Sequence, residues 1–224
     1  MLRIKQIVGV LFNIGFFALL LFPAAHTLHW RRAWIFLGVN LIAASVSVFS
    51  APEDLLNERY KPAVQKGQPL ADRILLLTFI LSFCADVVLI PEDVFRLHLF
   101  ARPGPGVCAL GLALFIASWW LLTSAILNNP FAAVVVRLQA ERGQHVVDSG
   151  PYRLIRHPMY AGFAPLAVGM ALWLESYASA IAAIVPLALL VMRAHFEEKF
   201  LLRSLPGYAA YMQRVHYRFI PFVW

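Results

Sequence analysis

Apolar runs of bilayer-crossing length recur along this chain, and they constrain its fold more than any other feature. Six stand out: Ile7 to Pro23, Trp34 to Phe49, Ile74 to Ile90, Val107 to Leu127, a short one from Ala161 to Leu174, and Ala178 to Met192. A bilayer's hydrocarbon core is about 30 Å thick and takes about 20 apolar helical residues to cross. Backbone polar groups there must be satisfied within the segment, so such runs are helices. The chain is 61% hydrophobic and only 14% charged, too little polar surface to cover a soluble domain of its size. The expected fold is all-α: a polytopic integral membrane protein with about six transmembrane helices. A tight turn at Glu175 and Ser176 joins the last two into a short hairpin, in which Pro165 and Pro186 predict bends. The first run follows Arg3 and Lys5 as a signal peptide would, but no small-x-small cleavage site follows and more runs do, so it reads as a span.

The loops set the expected orientation. With the N-terminus in the cytoplasm, fifteen of the 19 Lys and Arg residues fall on that side, among them Arg59, Lys61, Lys66, Arg73 and Arg137. Arg31, Arg32, Arg96 and Arg102 fall outside. Both termini are therefore expected in the cytoplasm. The same partition accounts for the net charge of +7 without a nucleic-acid partner. Cys84 and Cys108 lie within apolar runs and form no CxxC or zinc spacing, which suits packing residues.

Polar chemistry concentrates in the second half, so the chain divides into a supporting part, 1–127, and a part carrying the chemistry, 128–224. Two clusters flank the hairpin. The first runs from Glu141 to Phe163 and contains Arg156, His157, Pro158 and Tyr160; the second runs from Met192 to Trp224 and opens with Arg193, Glu197 and Glu198. A hairpin returns on itself, so its entrance and exit are close and the two clusters share one site. Ionisable groups at a membrane boundary are costly unless paired or wetted. The plain alternative is an interfacial anchor, with arginine snorkelling and tyrosine at the headgroups. Two adjacent acids at a membrane exit do not suit a purely basic anchor. On a continuing helix Arg193 and Glu197 are spaced as an i,i+4 pair. His145, His157, His195 and His216 have no metal-ligand spacing, and no metal is expected. The Gly-x-Gly at Gly104 and Gly106 precedes a span rather than following a strand, so it is a loop.

The string Gly150-Pro151-Tyr152, Arg156-His157-Pro158, Tyr160 and Gly162, with Glu197-Glu198, Leu201, Gly207-Tyr208, Tyr211, Tyr217-Arg218 and Ile220-Pro221, resembles the isoprenylcysteine carboxyl methyltransferase family and its phospholipid methyltransferase relatives. The resemblance covers about Asn128 to Trp224. It implies an enzyme using S-adenosylmethionine to methylate a lipidic acceptor at the cytoplasmic face, with cytoplasmic cofactor-binding segments flanking the hairpin. It assigns Gln139, Val147, Gly150, Tyr152, His157, Tyr160, Glu198 and Tyr211 to the donor, and Arg193 and Glu197 to catalysis. The acceptor is expected to be a carboxylate of isoprenylcysteine type, drawn from a bacterial inner membrane; a phospholipid or other small-molecule N- or S-methyltransferase is the alternative. The added N-terminal spans could shape a lipid path or support a homodimer. A nicotinamide-dependent sterol-type reductase would need further basic residues for its cofactor's phosphates. A transporter would need polar residues at mid-span in repeated halves.

Overall fold

The computed structural model describes residues 2–65 and 67–223; Lys66, counted above among the basic residues, and the chain ends Met1 and Trp224 lie outside the described residues. The helices are α1 (Leu2–Ala25), α2 (Arg31–Ser50), α3 (Glu53–Arg59), α4 (Leu70–Glu92), α5 (Pro105–Asn128), α6 (Pro158–Trp173), α7 (Tyr177–Ala182), α8 (Ile184–Ser204) and α9 (Tyr208–Arg214). A π-helical turn, Asp93–Leu97, extends α4. The described residues contain no strand, only an isolated parallel bridge between Ile155 and Tyr217.

Five segments are long and apolar enough to cross a membrane: α1, α2, α4 with its π-turn, α5, and α7 with α8 as one stretch from Tyr177 to Ser204. The fifth expected span, α6, is a shorter apolar helix of 16 residues. At about 1.5 Å rise per residue it is about 24 Å long, less than the hydrocarbon core. The sequence reading also ends the last helix too early. It stops at Met192, yet α8 runs on through Arg193, Glu197 and Glu198 to Ser204.

Packing explains how a short helix is held. α5 and α6 lie against each other with backbones nearly touching. A Cβ on Gly169 would lie 2.6 Å from the Gly111 carbonyl oxygen, and one on Gly111 would lie 2.8 Å from that of Gly169. Small residues permit this approach in membrane helices. Ser118 on α5 also donates its hydroxyl to the Gly162 carbonyl. The hairpin turn is stapled at the far end of the bundle. Arg32 pairs with Glu175 at 3.1 Å, and Ser176 and Ser179 donate to Asp93 and Asp86 at 2.8 and 2.9 Å. Ser176 also caps α7 by accepting from the Ser179 amide.

The other end carries the polar clusters. Lys5 at the start of α1 donates to Asn57 of α3 at 2.8 Å, and Arg59 of α3 donates to the Ala132 carbonyl at 3.1 Å. The chain's last residues pair along the segment entering α6: the amides of Arg156 and His157 donate to the carbonyls of Tyr217 and Arg218, each at 2.9 Å. The start of α1 and the C-terminal tail therefore lie at one end of the bundle.

Candidate functional site

The helix entry at α6 is set by proline. Pro158 occupies its first turn, where its missing N–H costs nothing, and its fixed φ suits the helix. That fixes His157 at the N-cap and Tyr160 one turn in. The two rings stack at 5.4 Å with planes 2° apart. Glu198 on α8 lies behind them, 3% exposed. It accepts from Arg156 Nε at 2.7 Å and Arg218 Nε at 3.0 Å, and lies 3.2 Å from His157 Nε2. Arg156 also donates to the carbonyls of Val215 and His216. One carboxylate thus ties α8, the segment before α6, and the tail.

In front of this layer opens a cleft of about 720 Å³ including its open parts. Its wall carries Gln139, Val147, Tyr152, His157, Glu197 and Tyr211, with Phe131, Val135, Val146 and Leu205 supplying apolar surface. Gln139, 1% exposed, is locked by donating to the Phe131 carbonyl and accepting from Arg142. The Tyr211 hydroxyl donates to the Tyr152 carbonyl at 2.8 Å, strapping α9 to the turn at 150–153. Gly150 makes that turn possible. Its φ is +53°, and any Cβ would collide with Asn128. Burial pushes the Tyr152 phenol up to about 12 against the opposing hydrogen bond from Asn129, and burial also raises Tyr208 and Tyr211. All three phenols therefore stay protonated; Tyr211 donates and Tyr152 accepts from Asn129.

A second cavity, about 1300 Å³ including its open parts, lies on the bundle side of the same wall. Phe16, Phe17, Phe79, Phe83, Phe163 and Leu190 give it an apolar body, while Arg59, Tyr160, Arg193 and Glu197 lie at its polar end. Glu197, Met159 and the segment 133–136 border both spaces, apart from Val134, which faces the second alone. Glu197 accepts the Tyr160 hydroxyl at 2.6 Å. A polar cleft and an apolar chamber thus meet at one carboxylate.

The ten residues singled out from the sequence divide by position. Gln139, Val147, Tyr152, His157, Glu197 and Tyr211 line the cleft, and Tyr160, Arg193 and again Glu197 line the chamber. Glu198 and Gly150 line neither; they hold the wall from behind. The expected Arg193–Glu197 pair does not form. Arg193, 6% exposed, instead donates to Asp72 on α4 at 2.8 Å and to the Val134 carbonyl at 2.6 Å. Asp72 is fully buried and also accepts from Gln68 and the Val136 amide. A carboxylate on a neighbouring helix outcompeted the local one because it sits in the interior, where a lone guanidinium would be costly.

The sequence marks a helix start at Pro52-Glu53-Asp54, where α3 forms, but it points neither to Asp72 nor to the partners of α3. Glu58 pairs with Lys61 and, at 2.8 Å, with Arg137; Arg137 also bonds Glu141 at 2.6 Å. Burial works to raise the Glu58 carboxyl, but these cations hold it below its ordinary value. α3 thereby clamps the segment 131–147 that walls the cleft. The one available signal was the acid pair opening α3, Glu53 and Asp54, which marked a helix without revealing its partners.

Residues 107–206 match the family model described as Phospholipid methyltransferase. A protein named "Probable protein-S-isoprenylcysteine O-methyltransferase" from Oryza sativa subsp. indica is 36% identical over 84 residues, covering 37% of this chain and 44% of that protein. "Protein-S-isoprenylcysteine O-methyltransferase B" from Arabidopsis thaliana is 28% identical over 143 residues, covering 62% of this chain and 68% of that protein. The chain thus spans less than half the length of the rice relative. These matches bear out the resemblance read from the sequence.

Proposed function

We propose that this chain belongs to the isoprenylcysteine carboxyl methyltransferase family and transfers a methyl group from S-adenosylmethionine to a lipidic carboxylate at the cytoplasmic membrane face. The observation that carries this reading is the meeting of a polar cleft with an apolar chamber at Glu197. The cleft suits the donor because its wall mixes apolar surface with fixed polar groups, as small-molecule sites do. When bound, S-adenosylmethionine supplies an electrophilic methyl on a sulfonium that departs as a neutral thioether.

The chain's own residues do the rest by placement. Gln139, Val147, Tyr152, His157 and Tyr211 hold the donor, with Tyr160 and Glu198 fixing His157 from behind and Gly150 shaping the turn. Glu197 puts negative charge where the donor's cationic end meets the chamber. A carboxylate acceptor is already ionised near neutral pH, so no base is required. The acceptor oxygen gains the methyl, the donor sulfur keeps the electron pair, and no proton moves. What the reaction needs is alignment and exclusion of water, which the apolar chamber and the 131–147 segment provide. The bias of basic residues supports a cytoplasmic position for this end and both termini.

The test is calorimetric titration of detergent-purified protein with S-adenosylmethionine and S-adenosylhomocysteine, followed by labelled-methyl transfer to a farnesylated N-acetylcysteine and to phosphatidylethanolamine. Donor binding and a base-labile methyl ester on the farnesylated acid are expected. Absence of binding by either nucleoside sinks the methyltransferase reading; N-methylation alone replaces the carboxylate with the amine.

A further inference from the structure

Arg59 is an arginine without an anion. It sits on α3, lines the polar end of the chamber, and makes one hydrogen bond, to the Ala132 carbonyl. Among the described residues no carboxylate pairs with it. The other arginines that line the two cavities are paired: Arg137 has Glu58 and Glu141, Arg156 has Glu198, and Arg193 has Asp72. Glu58, next in sequence, is turned to Lys61 and Arg137. Burial draws the Arg59 guanidinium below its ordinary value, against smaller opposing effects of Tyr152 and Tyr60, yet an arginine stays charged in proteins. Arg59 is half-buried at the edge of the chamber, so its remaining donors are open to an anionic group that enters there.

Resting on the methyltransferase reading, we propose that Arg59 is the residue that holds the acceptor's anionic group, a carboxylate, at the chamber's polar end and so selects anionic over cationic acceptors. Arg193 is less suited, because Asp72 and the Val134 carbonyl already occupy it. Most of the Arg59 donor fork has no protein acceptor, and a planar guanidinium matches a carboxylate bidentately. Arg59 lines the chamber and not the cleft, so it acts on the acceptor and leaves the donor alone. With Glu197 at the shared wall, the site then offers negative charge to the sulfonium side and positive charge to the acceptor side. A phospholipid's phosphate would satisfy the same arginine while presenting an amine, and the experiment separates these two anions.

The experiment has a wild-type arm and a variant arm. In the wild type, farnesylated N-acetylcysteine, its carboxamide and farnesylamine compete for the acceptor site, with binding expected in that order. Arg59→Gln should raise the KM for the farnesylated acid about ten- to a hundredfold, the range for losing a charge-assisted hydrogen bond. The inhibition constant of the carboxamide and the calorimetric affinity for S-adenosylhomocysteine should stay put, and Arg59→Lys should recover part of the loss. Equal weakening of acid and carboxamide, or farnesylamine binding as tightly as the acid, overturns the role of Arg59. Loss of phosphatidylethanolamine methylation with the acid's KM unchanged assigns Arg59 to phosphate and overturns the carboxylate assignment. Retained donor binding in every arm separates these failures from failure of the methyltransferase reading itself.

Discussion

Replacing Glu198 by Gln should unfasten the layer behind the cleft. The carboxylate is 3% exposed and receives Arg156, Arg218 and the His157 ring. Removing one partner of a buried ion pair typically costs about 3–5 kcal/mol, because the remaining charge is left uncompensated. Gln keeps the size and one acceptor oxygen, so the lower figure, about 3 kcal/mol, is expected. For a chain of this length that corresponds to a fall in melting temperature of about 6–12 °C, at about 2–4 °C per kcal/mol. The assay is thermal unfolding in detergent of Glu198→Gln, Arg156→Met and the double variant. Arg156→Met removes the bonds to the Val215 and His216 carbonyls, alone and in the double variant, so the double variant stays below wild type. Its cost should nevertheless fall short of the sum of the singles by at least about 1 kcal/mol, since contacting residues couple. Additivity within about 0.5 kcal/mol, or a single variant that melts with the wild type, would refute the idea that this carboxylate holds the layer together. Donor affinity of Glu198→Gln, measured by calorimetry below its melting range, should also drop, because the His157 ring is no longer held.

Gly169→Ala should destabilise the bundle by about 1–3 kcal/mol, the usual cost of overpacking, because its Cβ would meet the Gly111 carbonyl oxygen at 2.6 Å; thermal unfolding checks it, and an unchanged melting temperature contradicts the α5–α6 contact. The Glu58 carboxyl is depressed in the folded protein, so the stability it lends is present above its unfolded value and is lost as pH falls through the folded one. Acidification below about 4.5, the ordinary glutamate range, should therefore raise hydrogen exchange across 131–147, and Glu58→Gln should show that faster exchange already at neutral pH. Deleting residues 215–224 removes the carbonyls that accept the Arg156 and His157 amides; donor binding should be lost while helix content measured by circular dichroism changes little, and full donor affinity in the truncated chain would show that the tail is dispensable.

The spans were legible because length and apolarity are local properties, and five of the six emerged as helices long enough to cross. What the apolar criterion could not see was the continuation of α8 beyond Met192, since the run breaks at the first charge. Arg193, Glu197 and Glu198 remain helical because each finds a partner on another element. Those partners were invisible in one dimension: Asp72 lies 121 residues before Arg193, and the i,i+4 neighbour seemed the natural choice. Arg59 was hidden for the same reason, as one basic residue in an ordinary polar loop, and only the chamber gives it meaning.

The two cavities are not built from the same parts of the chain. The cleft takes its wall from Asn129 to Tyr211, largely the stretch that matches the family model at 107–206. The chamber takes one side from that stretch and the other from α1, α3 and α4, through Phe17, Arg59, Phe79 and Phe83, all outside the match. Substitutions at chamber-lining positions of α1 and α4 such as Phe17, Phe79 and Phe83 can therefore reshape the apolar chamber without touching the residues that wall the cleft. A division of this kind lets a fixed donor site serve different acceptors. Under the proposed methyl transfer, the choice of acceptor is then tested in α1, α3 and α4, and first of all at Arg59, all outside the stretch that matches the family model.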